Sequence, residues 1–94
     1  MTTVAELKKK IVPVLKKSGI KRAGLFGSWA RGDQRANSDV DVLFLPPKGF
    51  TLFDLSSVAI ELKTLLKREV DLVSYRGIHP LLKDQILAQE MRIL

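Results

Sequence analysis

Apolar positions along the chain recur first at helical spacing and then at every second residue, and the two periods alternate to its end. Leu7, Ile11, Val14 and Leu15 share one helical face with lysines between them, the pattern of a half-buried helix. Thr3-Val4-Ala5-Glu6 has the form of a capping box, in which a hydroxyl and a carboxylate each satisfy a free N–H at the helix start. Ser18-Gly19 is a stop signal. Pro13 predicts a kink, because it lacks an N–H and crowds the preceding turn. Residues 22–26, Arg-Ala-Gly-Leu-Phe, read as a short strand broken by Gly27-Ser28. Trp29-Ala30-Arg31 predicts a single helical turn, and residues 32–38 a polar loop. Residues 39–45 alternate and then turn wholly apolar, a strand that ends at Pro46-Pro47. Thr51-Leu52-Phe53-Asp54 repeats the capping-box pattern ahead of a stripe of Leu55, Val58, Ala59, Leu62, Leu65 and Leu66. Val70-Asp71-Leu72-Val73 is a third strand. Pro80 opens a last helix with Leu82, Ile86 and Leu87 as its inward positions. Met91-Arg92-Ile93-Leu94 is open between a frayed end, a short strand and a partner contact.

The long helix between the second and third strands predicts a crossover joining parallel neighbours. The compact link between the first two predicts an antiparallel pair. The fold class expected is therefore α/β (α+β): a small mixed sheet with helices on one face. The 94 residues fit a single domain, 1–94. No apolar run approaches the ~20 residues that span a bilayer, and Met1-Thr2-Thr3-Val4 lacks the pattern of a signal peptide. Cysteine is absent, which rules out disulfides and a thiolate zinc site. A cytoplasmic location is the expectation. The net charge of +6 suits a polyanionic ligand: a nucleotide, a nucleic acid or an acidic protein. The lysines at 8–10 and 16–17 also fit a plain solvated helix face.

Strand residues two apart point the same way, so Asp39 and Asp41 project together while Val40, Val42 and Phe44 face the other side. Paired carboxylates repel and favour a cation. Magnesium suits them because it takes hard oxygen ligands and shares its shell with phosphates. On a parallel neighbouring strand, Asp71 lies beside the pair, a charge set among apolar residues. Each feature alone has a plain explanation, since Asp-x-Asp occurs on solvated strand ends and Gly-Ser in ordinary turns. The combination is more informative: Gly-Ser directly after one strand, ten residues, then Asp-x-Asp opening the next.

Gly27-Ser28-Trp29-Ala30-Arg31-Gly32 followed by Ser38-Asp39-Val40-Asp41-Val42 resembles the Gly-Ser-x10-Asp-x-Asp signature of the DNA polymerase β-like nucleotidyltransferase superfamily. The chain's size is similar to that of the minimal nucleotidyltransferase (MNT) branch. The resemblance implies the polymerase β-like fold. It also implies two magnesium ions on Asp39, Asp41 and Asp71, with ATP as substrate. Gly27 and Ser28, with Arg31 as a further contact, would cradle the triphosphate, and Asp71 would support the deprotonated acceptor. Arg31 and Arg35 otherwise read as solvated or locally paired loop arginines, Asp33 as a loop charge exposed to solvent and Asp54 as a helix-start charge. Trp29 reads as packing under the loop, ahead of stacking on a base, and His79 as a turn residue.

MNT proteins commonly pair with a helical HEPN-domain ribonuclease toxin, so the resemblance implies a HEPN partner, an antitoxin role and transfer of AMP to a toxin tyrosine. Two other classes stay open. One is a module that inhibits its partner by occlusion alone. The other is a basic nucleic-acid-binding protein, disfavoured because only 6% of residues are aromatic and no stacking array is visible.

Overall fold

The computed structural model describes residues 2–35 and 37–94. Met1, and Ala36 of the expected polar loop, lie outside them. Helix α1 spans Val4–Lys17 and is capped by Thr3, whose hydroxyl accepts from the Glu6 amide at 3.2 Å. Its assignment is continuous through Pro13. Both Pro13 and Lys9, whose carbonyl loses its usual partner, are exposed, so water can serve that carbonyl. Strand β1 (Ala23–Phe26) leads into a one-turn helix α2 (Ser28–Arg31), and strand β2 (Val40–Phe44) follows the loop. Helix α3 (Leu52–Leu66) begins at a complete capping box between Thr51 and Asp54. Strand β3 (Val70–Ser74), a 3-10 turn over Tyr75–Gly77, helix α4 (Pro80–Gln89) and strand β4 (Met91–Arg92) complete the order.

The sheet order is β3-β2-β1-β4, with β2 and β3 parallel and the other pairs antiparallel. The three strands and both orientations expected from the sequence are present. The chain's last residues add the fourth strand. Gly24 pairs with Arg92 and Leu25 with Met91, and Ala23 exchanges backbone bonds with Ile93 and Leu94 at 3.0–3.1 Å.

Helices α1 and α3 cover one face of the sheet. Leu7, Ile11 and Leu15 from α1 and Leu62 from α3 are fully buried against Ala23, Leu25, Val40 and Val42. Each such leucine or isoleucine contributes ~1.5–3 kcal/mol by leaving water. The Lys17–Glu61 ion pair at 2.7 Å also ties the two helices but is exposed, so it adds little.

Two stripes are less buried than their spacing implied. Leu65 on α3 is 42% exposed and Leu82 on α4 is 50% exposed. Leu65 falls to the outer edge of its stripe, and α4 turns Leu81 and Leu82 outward, leaving Ile86 and Leu87 half-buried. Among the described residues no helix is long and apolar enough to cross a membrane.

Candidate active site

Because Val40 and Val42 are both buried under the helices, Asp41 between them must face the other side of the sheet. The parallel register sets Asp71 directly opposite Asp41, and the antiparallel register sets Phe26 on its other flank. Gly27 therefore follows a residue already paired with Asp41, and the Gly-Ser turn lies against that carboxylate.

Gly27 is required here for two reasons. Its φ of 72° is in the left-handed region, where an L side chain is strained. A Cβ on it would also run into the Asp41 carboxylate. Ser28 begins α2, whose first N–H groups have no partner within the helix. The turn closes through Arg31 N–H to Gly27 O at 3.1 Å, and through the amides of Gly32 and Asp33 to Ser28 O at 3.0 and 3.1 Å.

The carboxylates crowd one another. Partial burial, followed by the charges of Asp71 and Asp39, pushes the Asp41 carboxyl up to about 6, while Arg31 pulls the other way. Asp39 and Asp71 are both exposed. Asp71 was expected as a charge enclosed by apolar strand; it lies instead near the open start of β3, where water reaches it. Among the described residues no three of His, Cys, Asp and Glu are gathered closely enough to hold an ion on their own. The set is open, as suits a centre whose remaining ligands come from phosphates. Hard carboxylate oxygens, one of them partly buried beside two like charges, fit a divalent cation such as magnesium.

Arg31 donates through Nε to Asp33 at 3.1 Å, and Asp33 is the solvent-exposed loop charge expected, here with a local partner. Both ends of that pair are exposed, leaving Arg31 free to move toward an incoming phosphate. Trp29 is buried, with the Arg68 guanidinium 5.2 Å over its ring. It packs beneath the turn and offers no free face for a base. Arg68 lies outside the motif residues of the sequence. Its stacking on Trp29 and its bond to the Thr2 hydroxyl at 3.2 Å join segments far apart in the chain, and no local pattern signals it. His79 accepts the Leu81 amide through Nδ1 at 3.2 Å, the turn role expected. Asp54 caps α3.

The Gly-Ser turn packs on Asp41, with Asp39 and Asp71 as its neighbouring charges at one end of a mixed sheet, the arrangement that the nucleotidyltransferase resemblance implies. Residues 9–94 match the family model "Polymerase beta, Nucleotidyltransferase". The chain is 46% identical over 97% of its length, and 98% of the relative's, to a Methanocaldococcus jannaschii protein named as a protein adenylyltransferase. A solved minimal nucleotidyltransferase superposes with a TM-score of 0.79 at 36% identity, covering 89% of this chain and 86% of that one. A toxin–antitoxin complex with AMP-PNP gives 0.80 at 28% identity over 93% and 72%. The chain belongs to the polymerase β nucleotidyltransferase family.

Proposed function

We propose that residues 1–94 act as one cytoplasmic domain that transfers AMP from ATP to a tyrosine hydroxyl of a HEPN-domain toxin, and so serves as its antitoxin. The observation that carries the reading is the in-register pairing of Asp41 with Asp71 beside the Gly27-Ser28 turn. The relatives named as adenylyltransferases and the toxin–antitoxin neighbour holding an ATP analogue support the choice of AMP and of the partner.

Gly27 leaves room for the triphosphate to approach the backbone. The Ser28 hydroxyl and amide donate to its oxygens, and Arg31 swings from Asp33 to add a charge-assisted bond. Asp39, Asp41 and Asp71 are the residues that would hold two magnesium ions, which when bound neutralise the triphosphate and lower the pKa of the acceptor hydroxyl. Asp71, exposed at the edge of the set, faces the acceptor and receives the phenol proton on its carboxylate before passing it to water. The phenolate oxygen attacks the α-phosphorus in line. An oxygen–phosphorus bond forms to the tyrosine, the bond to the α,β-bridging oxygen breaks, and pyrophosphate leaves.

The test separates catalysis from occlusion. Asp39→Asn with Asp41→Asn should still bind the HEPN protein yet fail to silence it in the presence of ATP and magnesium. Silencing that survives the double substitution would make the chain an occluding module.

A further inference from the structure

On the same sheet face as the carboxylates lies a cavity of about 360 Å³ lined by Arg22, Leu45, Tyr75, Arg76, Lys83 and Leu87. Leu45 is four residues beyond Asp41 and Tyr75 four beyond Asp71. At ~3.3 Å per residue the cavity is therefore ~13 Å from the carboxylates. Three of its six lining residues are cations and none is an anion. The ion pairs among the described residues are Lys17–Glu61, Arg31–Asp33 and Lys63–Glu69, so Arg22, Arg76 and Lys83 belong to none of them.

The wall of the cavity is fixed in advance. Tyr75 donates its hydroxyl to Glu90, and the Arg22 guanidinium sits 4.6 Å over its ring. A Cβ at Gly24 would overlap the Glu90 side chain, so the glycine is what lets Glu90 lie on the sheet. Burial, then Glu90, pushes the Tyr75 hydroxyl up to about 12, which keeps it a donor. Leu45 and Leu87 supply an apolar floor between the charges.

We propose that this cavity docks the acceptor protein, taking a segment in which a carboxylate sits beside an apolar side chain. The proposal rests on the transferase reading above and extends it to how the acceptor is held. Charge complementarity argues for an anion, and the leucine floor for an apolar anchor next to it. Nucleic acid fits less well: the one aromatic ring in the cavity is already covered by Arg22 and hydrogen-bonded at its hydroxyl, leaving no free platform for a base. A segment seated there lies one short span from the carboxylates, within reach for the same protein to present its tyrosine.

The test uses Arg76→Glu with Lys83→Glu, both at exposed positions, and leaves Arg22 in place on Tyr75. Transfer to the HEPN acceptor should show KM for the acceptor raised about tenfold or more, with KM for ATP and kcat little changed. The wild-type acceptor KM should rise with salt, and the variant's should not. Calorimetry of the two proteins without ATP should show the same loss of affinity. If wild type binds the acceptor but transfers nothing, while the variant loses binding, the docking surface holds and the transferase reading fails. If transfer proceeds with the same acceptor KM in both proteins, the docking surface is wrong and the transferase reading stands. Binding of a short single-stranded RNA that the variant loses, with protein affinity unchanged, would reassign the cavity to nucleic acid.

Discussion

At the scale of single residues, the site is held by a glycine and strained by a carboxylate. Gly27→Ala combines an unfavourable φ with a collision against Asp41, so nucleotide affinity should fall sharply and stability should drop by about 1–3 kcal/mol. Ser28→Ala should cost only ~1 kcal/mol of nucleotide binding, the usual worth of one hydrogen bond. Equal ATP affinities for these two variants by calorimetry would contradict the cradle. Asp41 makes an opposite prediction. Its carboxyl rises from an ordinary 3.8 to about 6, so the folded state binds that proton more tightly than the unfolded chain. Stability of the metal-free protein should fall as pH rises from about 4 to 6, and Asp41→Asn should remove that slope. At pH 7 the substitution should stabilise the metal-free protein by of order 1 kcal/mol once solvent screening is allowed for. Chemical melts across pH check both. Asp71 is exposed, so Asp71→Asn should leave the melting temperature nearly unchanged while turnover falls and ATP affinity holds, the signature of an interaction made mainly in the transition state. A destabilised but fully active Asp71→Asn would remove it from the catalytic set.

At the scale of elements, the sequence was most legible where period and punctuation agreed. Thr51 with Asp54 announced α3, and the apolar run after Asp39 announced β2, both through local chemistry. The long α3 connection was enough to make β2 and β3 parallel, which in turn aligned Asp41 with Asp71. The departures came where tertiary contacts decide. Leu82 matched a helical stripe, but a stripe becomes core only if another surface covers it, and α4 turns that side outward. Pro13 lies inside α1, and its solvent-facing position lets the helix continue past it. The final residues were open between a frayed end, a short strand and a partner contact, and Met91–Arg92 forms the short strand because β1 offers a free edge. Ile93 is buried in the main core beside that edge. Ile93→Ala should therefore cost about 2–4 kcal/mol, as for other buried isoleucines, and an urea melt showing under 0.5 kcal/mol would mean that β4 does not close the sheet.

For the whole molecule, the motif from Gly27 to Asp41 was readable because both ends are tied to strand ends, where spacing in sequence becomes spacing in space. Which side chains gather around the site was less readable. Arg68 over Trp29 links residues thirty-nine positions apart by number, and the basic cavity draws on Arg22, Leu45, Tyr75 and Lys83 from four separate segments. Neither leaves a local pattern. In the proposed reaction the three carboxylates and the Gly-Ser turn transfer a nucleotide to a partner protein. The direct measurement is tandem mass spectrometry of a HEPN-domain acceptor after incubation with this chain, ATP and magnesium. An adenylate on a tyrosine hydroxyl with wild-type protein, absent with Asp39→Asn plus Asp41→Asn, is the expected result; an unmodified acceptor, or equal modification by the double variant, would contradict it.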